Sequence, residues 1–397
     1  MPRVGSSEPV RVLVVGGHGH GRAHLRNARR LEGEGVVRLV GVCDLQPPAG
    51  ESEALAAGVP WTGDLDALLA RAAPEVVVVC TPIQTHVDLA EKALRAGADV
   101  LLEKPPTPTL QDHERLASVV EATGRACQVG FQTFGSAAID VVRDLLASGR
   151  LGTLQGIGAF GAWVRDESYW ARAPWAGRRR MDGKWVCDGA VTNPFAHATA
   201  AALRIDGSDR LGDLARVETE LYHANPIEAD DTSCVRMTTK RGTTIAVGVT
   251  LCASANHEPY VVVHGTRGRA VYWYTRSHLT ISTPDGRSES DHEIADLLTN
   301  LVEHTRDRST PLIAPLSRTG AFTEVVEAIR TASEPAVIPA QHQHVVHTEH
   351  GQRSAGPSAH RVVAGVEVIA ARVSEQLRTF SELGAPWVSH LAAGSDA

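Results

Sequence analysis

No apolar run in the 397-residue chain reaches the roughly 18–20 residues that a membrane-spanning helix requires. Paired cysteines are missing too. The six cysteines, at 43, 80, 127, 187, 234 and 252, stand singly with no CxxC, the usage of reduced thiols in a cytoplasmic protein. Basic residues do not cluster, apart from Arg178, Arg179 and Arg180, and the net charge is −7. A nucleic-acid partner would need a basic face, so none is expected. Internal repeats and low-complexity linkers are also absent. What remains is an ordinary globular composition, 43% hydrophobic and 21% charged, with length enough for two domains. The opening MPRVGSSEPVRVLVVGG has a short apolar run leading straight into glycines, which suits a first strand better than a secretion signal.

Over residues 10–130, VRVLVVG, VRLVGVCD, EVVVVCTP, ADVLLEKP and RACQVGFQ have the continuous apolar character of strands buried on both faces. Between them, GRAHLRNARRLEG, DLDALLARA, THVDLAEKALRAG and TLQDHERLASVVEATG carry helical spacing, and several close on glycine. This alternation predicts a doubly wound parallel α/β domain over residues 1–132. From 133 to 397 the rhythm changes to an α+β domain. A helix at 135–150 and the half-exposed strand TLQGIGAFGAW are followed by a Trp/Arg/Gly-rich loop at 163–186 and a helix at 194–205. The runs from RVETELYHA to HLTIST then predict a large open, mostly antiparallel sheet. Helices at about 317–333 and 359–383 complete the expectation, the second forming a C-terminal helical extension with an apolar stripe.

The chemistry starts at VRVLVVGGHGHGRAHL, a glycine-rich turn between the first strand and the first helix. There, backbone N–H groups and a helix N-terminus can hold a pyrophosphate. Glycines stand at 16 and 21 of the G-x-G-x-x-G pattern, but position 18 is His18, with Gly19 and His20 completing the loop. The second strand ends in Asp44. A carboxylate there accepts both ribose hydroxyls and repels a 2′-phosphate, which favours NAD over NADP. Proline after Lys104 restricts that backbone at the ligand-binding edge of the sheet.

Taken in order, VVGGHGHGRAH, CTPIQTH, VDLAEKALRAGADVLLEKP and GFQ resemble the glucose–fructose oxidoreductase and inositol dehydrogenase family (Gfo/Idh/MocA), with likeness extending to about residue 330. The resemblance implies an N-terminal Rossmann domain and a C-terminal sheet that forms homodimer or homotetramer contacts. It also implies hydride transfer between a nicotinamide and a sugar, cyclitol or related polyol. Within it, Gly16, His18, Gly19, His20, Gly21, Asp44, Thr81, Pro82, His86 and Gln132 map to the cofactor cleft. Glu103 and Lys104 map to the motif whose lysine contacts substrate.

The stretch CDGAVTNPFAH departs from that family. Its usual D-x-G-x-H, aligned on Asp188, places Ala190 at the glycine and Thr192 at the histidine, so the general base is missing in register. Asn193 can cap a helix that starts at Pro194. His197, one turn later, is a candidate substitute base, and Lys104, its pKa lowered by burial, is another. Lys104, Asp188, Asn193 and His197 are therefore the expected catalytic set. Trp163, Trp175, Arg178 and Thr192 are the expected substrate contacts, through stacking on a sugar face, clamping of an anion and hydrogen bonding. For Arg179 and Arg180 a structural role is expected. Histidines 342, 344, 347 and 350 with Glu349 lack a complete ligand set, so no metal is expected. The function expected is an NAD-dependent oxidoreductase. The alternatives are an NAD-retaining epimerase, lyase or glycosidase that oxidises transiently, and a non-catalytic NAD sensor.

Overall fold

The computed structural model describes residues 8–353 and 355–388; the outermost residues of the expected domains, 1–7 and 389–397, lie outside the described residues. The chain divides into two compact units, one of 1–135 with 295–319 and the other of 136–294 with 320–397.

The first unit opens with β1 (Val10–Val15), α1 (Gly21–Gly33), β2 (Val37–Cys43), α2 (Glu51–Leu55), β3 (Trp61–Thr62) and α3 (Leu65–Ala72). It continues with β4 (Val76–Val79), α4 (His86–Arg95), β5 (Asp99–Leu102), α5 (Leu110–Thr123) and β6 (Cys127–Val129). The six strands pair in parallel in the order β3-β2-β1-β4-β5-β6, the doubly wound arrangement whose ligand crevice lies beyond the C-terminal strand ends. All four side chains of β4 are valine and all are fully buried, the composition of a strand covered on both faces. Helix starts are set locally: Asp64 and Thr109 accept the backbone N–H groups of Ala67 and Asp112. The two-residue β3 escapes sequence patterning because no period can be expressed over its length.

The second unit begins with α6 (Ala137–Ala147), β7 (Leu154–Val164), α7 (Glu167–Trp170), the ribbon β8 (Arg180–Met181) and β9 (Lys184–Trp185), and α8 (Ala196–Asp206). Strands β10 (Leu214–His223), β11 (Thr232–Thr239), β12 (Thr244–Thr250), β13 (Cys252–Gly265), β14 (Gly268–Trp273), β15 (His278–Thr283) and β16 (Gly286–Asp291) follow. The chain then returns to the first unit as α9 (Leu297–Arg306). It re-enters the second as α10 (Gly320–Thr331), β17 (Ala336–Val337), the hairpin β18 (Gln343–Thr348) and β19 (Ser358–Val363), and α11 (Val366–Gln376). Nine strands form one sheet in the order β16-β15-β14-β13-β7-β12-β11-β10-β17, antiparallel except at β7–β12 and β10–β17.

Three expectations need correction here. Strand β7 is buried along seven consecutive residues rather than half exposed, because α8 packs on it and α11 packs on it as well. Residues 358–363 are a strand and the last helix spans only 366–376, since Gly365 at φ 70° interrupts the apolar periodicity. Helix α9 and strand β16 were not anticipated; β16 is exposed along its whole length and so has no apolar alternation to reveal it.

Helix α11 lies directly on β7, β12 and β13. A side chain at Gly158 would collide with the Ser374 backbone, and one at Gly248 with the Ala370 carbonyl. Bare glycine backbone on two neighbouring strands is what lets the helix approach. Around it Phe160, Cys252, Ile338, Val363, Val366, Val373, Phe380 and Trp387 form one buried cluster.

Candidate functional site

In the first unit the glycine loop is built by exclusion of side chains. Gly16 sits at φ 92°, and a Cβ there would strike the Cys80 carbonyl; one on Gly21 would strike the Gly16 carbonyl. These are the first and third glycines of the fingerprint. At the middle position His18 turns aside, its Nε2 3.0 Å from Pro47 O and its ring edge-on to Trp61 at 5.4 Å, while Gly19 takes φ 57°. The N–H groups of Gly21, Arg22 and Ala23 are used by the carbonyls of His18, Gly19 and His20. Among the described residues, the N–H groups of His18, Gly19 and His20 meet no acceptor. Three consecutive donors ahead of a helix N-terminus form an anion cradle.

Asp44 joins this cradle to the end of β2. Its carboxylate accepts the Gly17 N–H at 2.7 Å and the Gln46 N–H at 3.0 Å, and a carboxylate keeps further lone pairs for two more donors. At the end of β4, Thr81 shares a hydrogen bond with Thr85 at 2.7 Å, and Thr85 donates to Pro82 O. Buried His86 ties that turn to the next: Nε2 is 2.8 Å from Thr81 O and Nδ1 is 2.9 Å from Pro105 O. Burial holds this imidazole below its ordinary pKa, against the pull of the carbonyls that face its two nitrogens.

Glu103, at the end of β5, is 5% exposed. It accepts from His24 Nε2 at 2.8 Å, from Gln132 Nε2 at 3.3 Å and from the Lys104 N–H at 3.0 Å. Burial alone would raise its pKa, but His20 and His24 outweigh that and hold the carboxyl well below its usual range. Gly130 accommodates the carboxylate, which a Cβ there would touch. Lys104 is half-buried beside it. His24, which sequence reasoning passed over, is signalled only by its i,i+4 spacing from His20.

In the second unit Asp188 is buried and its carboxylate is spent. Arg172 Nη2 donates to it at 2.7 Å, the Gly177 N–H at 2.8 Å, and the Asn193 amide donates to its other oxygen. The side chains of Arg172 and Asp188 are only 8% and 3% exposed. The Asp188 oxygens hold the 172–193 segment together. The expected cap is corrected by the structure. Helix α8 starts at Ala196, and the Asn193 amide faces Asp188 instead of closing the helix.

Thr192 is fully buried; its hydroxyl donates to Cys187 O and accepts the Gly189 N–H at 3.0 Å. It serves the turn and is not presented as a substrate contact. Half-buried His197 lies on α8 with its ring 6.4 Å from that of Tyr274. Gly189 is required because a Cβ there would meet the Asp230 carboxyl, which burial pushes up in pKa and which accepts the Ala190 N–H at 3.0 Å.

The loop aromatics form a ladder with arginines between them. Arg165 lies 4.7 Å from the Trp163 ring and 5.0 Å from the Tyr169 ring; Arg172 lies 3.9 Å from Tyr169 and 4.6 Å from Trp175. Trp163 also packs on Phe195 at 4.4 Å. One face of each expected stacking tryptophan is therefore taken by a guanidinium. Arg178 is exposed. Arg179 donates to the carbonyls of Ile329, Arg330 and Ala332, closing the end of α10. Arg180 lies 3.7 Å over Trp185. In this unit Arg172 and Asp230 were missed by sequence reasoning: a lone arginine between aromatics and one of two adjacent aspartates carry no spacing signal. Histidines 342, 344, 347 and 350 are not gathered into a three-ligand group among the described residues; one cluster of that kind is present there, His20, His24 and Glu103.

Residues 10–131 match the model of an oxidoreductase family with an NAD-binding Rossmann fold, and residues 139–271 match that of the GFO/IDH/MocA C-terminal domain. Together these cover more than half of the chain. Inositol 2-dehydrogenase of Rhizobium meliloti (strain 1021) is 34% identical over 137 residues, 34% of this chain and 41% of that protein. The scyllo-inositol 2-dehydrogenase (NAD(+)) of Bacillus subtilis (strain 168) is 33% identical over 26% of this chain and 32% of that protein. The aligned stretch thus spans less than half the length of these relatives. Among solved structures, the WlbA dehydrogenase of Bordetella pertussis, in complex with NADH and UDP-GlcNAcA, superposes with a TM-score of 0.67 at 20% identity, over 83% of this chain and 98% of that one. An oxidoreductase from Agrobacterium radiobacter, in complex with NAD+, L-tartaric acid and magnesium, gives 0.66 at 17% identity, over 81% and 95%. No helix among the described residues is long and apolar enough to cross a membrane.

Proposed function

Because the chain belongs to the Gfo/Idh/MocA family of oxidoreductases, we propose that it catalyses hydride transfer between NAD and a hydroxyl or ketone of a sugar, cyclitol or related polyol. The observation that supports this most is the glycine loop. Its two sterically obligatory glycines leave three consecutive N–H groups for a pyrophosphate, and Asp44 is already anchored to Gly17 beside them. The bound nicotinamide would supply the hydride acceptor or donor. Asp44 would receive the ribose hydroxyls of NAD and repel the 2′-phosphate of NADP. Thr81, Pro82, His86 and Gln132 would shape the cleft, the last by holding Glu103.

Lys104 would contact the reacting oxygen. With Thr192 in place of the family histidine, Lys104 and His197 are the groups we assign to proton transfer. Asp188 and Asn193 are positioning residues, and Trp163, Trp175 and Arg178 would border the substrate. We place the protein in the cytoplasm on its unpaired thiols. Self-association through the second sheet is narrowed by α11, which lies on β7, β12 and β13, so a homodimer or homotetramer would use other strands.

The test is to release nucleotide from denatured protein, titrate the stripped protein with NAD and NADP, and then assay a panel of inositols and sugars for net NADH. Tight NAD binding with net NADH is the expected result. Product without net NADH would replace this reading by transient oxidation, and binding of neither nucleotide would overturn it.

A further inference from the structure

We propose that His20, His24 and Glu103 form a binding site for a divalent transition-metal ion of the zinc type. His20 and His24 stand four residues apart across the start of α1 and so project from one face of its first turn. Their rings meet edge to face, centroids 5.4 Å apart at 86°. Glu103 reaches them from the end of β5. Its Oε1 lies 2.8 Å from His24 Nε2 and 3.6 Å from His20 Nε2, and all three ligand atoms lie within 4.8 Å of one another.

Two imidazoles and a carboxylate are donors that zinc, cobalt and nickel accept. A tetrahedral ion bound at about 2.0–2.2 Å needs ligand atoms about 3.4 Å apart, and the two measured separations bracket that value. The set is part fixed and part adjustable. Glu103 is oriented by the Lys104 N–H on its Oε2 and by the Gln132 amide on its Oε1, the outer support that metal carboxylates require. His20, by contrast, has a side chain 63% exposed, and at 3.6 Å its nitrogen is beyond hydrogen-bonding range of the carboxylate. His24 makes the direct hydrogen bond to Glu103, and His20 attracts the carboxylate from slightly farther away. A small rotation of that ring closes the triad and leaves the solvent side open for water. The nearby cations, Lys104 and Arg26, oppose the added charge and make the site weaker than a structural zinc.

Metal binding itself is independent of the hydride reading. Its consequence, competition with NAD, rests on that reading, because the triad occupies the glycine loop and the end of β5. The experiment is titration of the cofactor-free full-length protein with Co2+, read by its visible ligand-field absorption, with Zn2+ as the displacing ion. One ion per chain is expected. His20→Ala should weaken binding at least about tenfold while the protein stays folded, whereas the paired variant His344→Ala with His347→Ala should bind as the unaltered protein does. Unchanged Co2+ binding in His20→Ala, or its loss in the paired variant, would overturn the site. Added NAD should displace the ion, and simultaneous binding of both would overturn the competition. A protein that binds Co2+ through His20 but binds no nucleotide would sink the hydride reading alone.

Discussion

Replacing Asp188 by asparagine separates a positioning carboxylate from a catalytic one. The substitution preserves shape and still offers an oxygen to the Gly177 N–H, but it removes the charge that faces Arg172. Both side chains are almost wholly buried, so the guanidinium is left without its counter-ion in a medium that solvates it poorly. Breaking one partner of a buried pair costs about 3–5 kcal/mol. The Arg172 side chain keeps its stacking on Tyr169 and Trp175 and its bond to Tyr169 O, which places the expected loss at the lower end. For a unit of this size each kcal/mol moves the midpoint by about 2–4 °C, so Asp188→Asn should lower the second unit's melting temperature by about 6 °C or more. Differential scanning calorimetry of the full chain reads this directly, and NAD titration serves as the control, because the glycine loop lies in the other unit. A variant that melts within about 1 °C of the parent while turnover falls a hundredfold would refute the structural reading and return Asp188 to the chemistry.

Asp44→Ala should weaken NAD about tenfold or more, as loss of a charge-assisted bond implies, and narrow the preference over NADP; equilibrium titration with both nucleotides checks it. Buried His113 has its pKa lowered from 6.5 to about 4 by desolvation. Below pH 6.5 the unfolded chain therefore takes up a proton that the folded one refuses, and stability falls toward pH 4 by up to about 3 kcal/mol before levelling. His113→Gln should flatten that decline in melts run from pH 7 to 4, and an unaltered slope would refute the assignment. Burial raises the thiols of Cys43 to about 11 and of Cys127 and Cys187 to about 12. At pH 8 the folded protein should leave these three unlabelled by a thiol reagent that labels them at once in denaturant.

The first unit was legible because its strands are buried on both faces and its turns demand particular residues. Gly16 and Gly21 announce themselves since nothing larger fits, and Asp44 because a strand end beside such a loop has few other uses. Around CDGAVTNPFAH the same logic reached less far. Asn193 before a proline has the form of a cap, yet the amide is drawn to Asp188, a pairing created only when the 172–193 segment folds back. Thr192 and Trp175 are polar or aromatic enough to suggest contact with a ligand. What they touch was decided by Cys187, Gly189 and Arg172, and no sequence period encodes those meetings. His24 and Glu103 were separated by 79 positions and joined only by the sheet.

The seat of α11 on Gly158 and Gly248 bears on where this protein may be cut. The stretch similar to known family models stops at residue 271, and a shortened version ending near 335 would look natural on an alignment. It would remove Ile338, Val363, Val366, Val373, Phe380 and Trp387 from a shared interior, at about 1.5–3 kcal/mol for each large apolar side chain. The bare glycine floor of β7 and β12 would be left facing water. The sum, about 9–18 kcal/mol over these six side chains, is as large as the 5–15 kcal/mol by which folded domains ordinarily outlast unfolding, so the trimmed protein should be recovered as aggregate. What resembles an appendix in the sequence is a keystone, set last and bearing on everything beneath it.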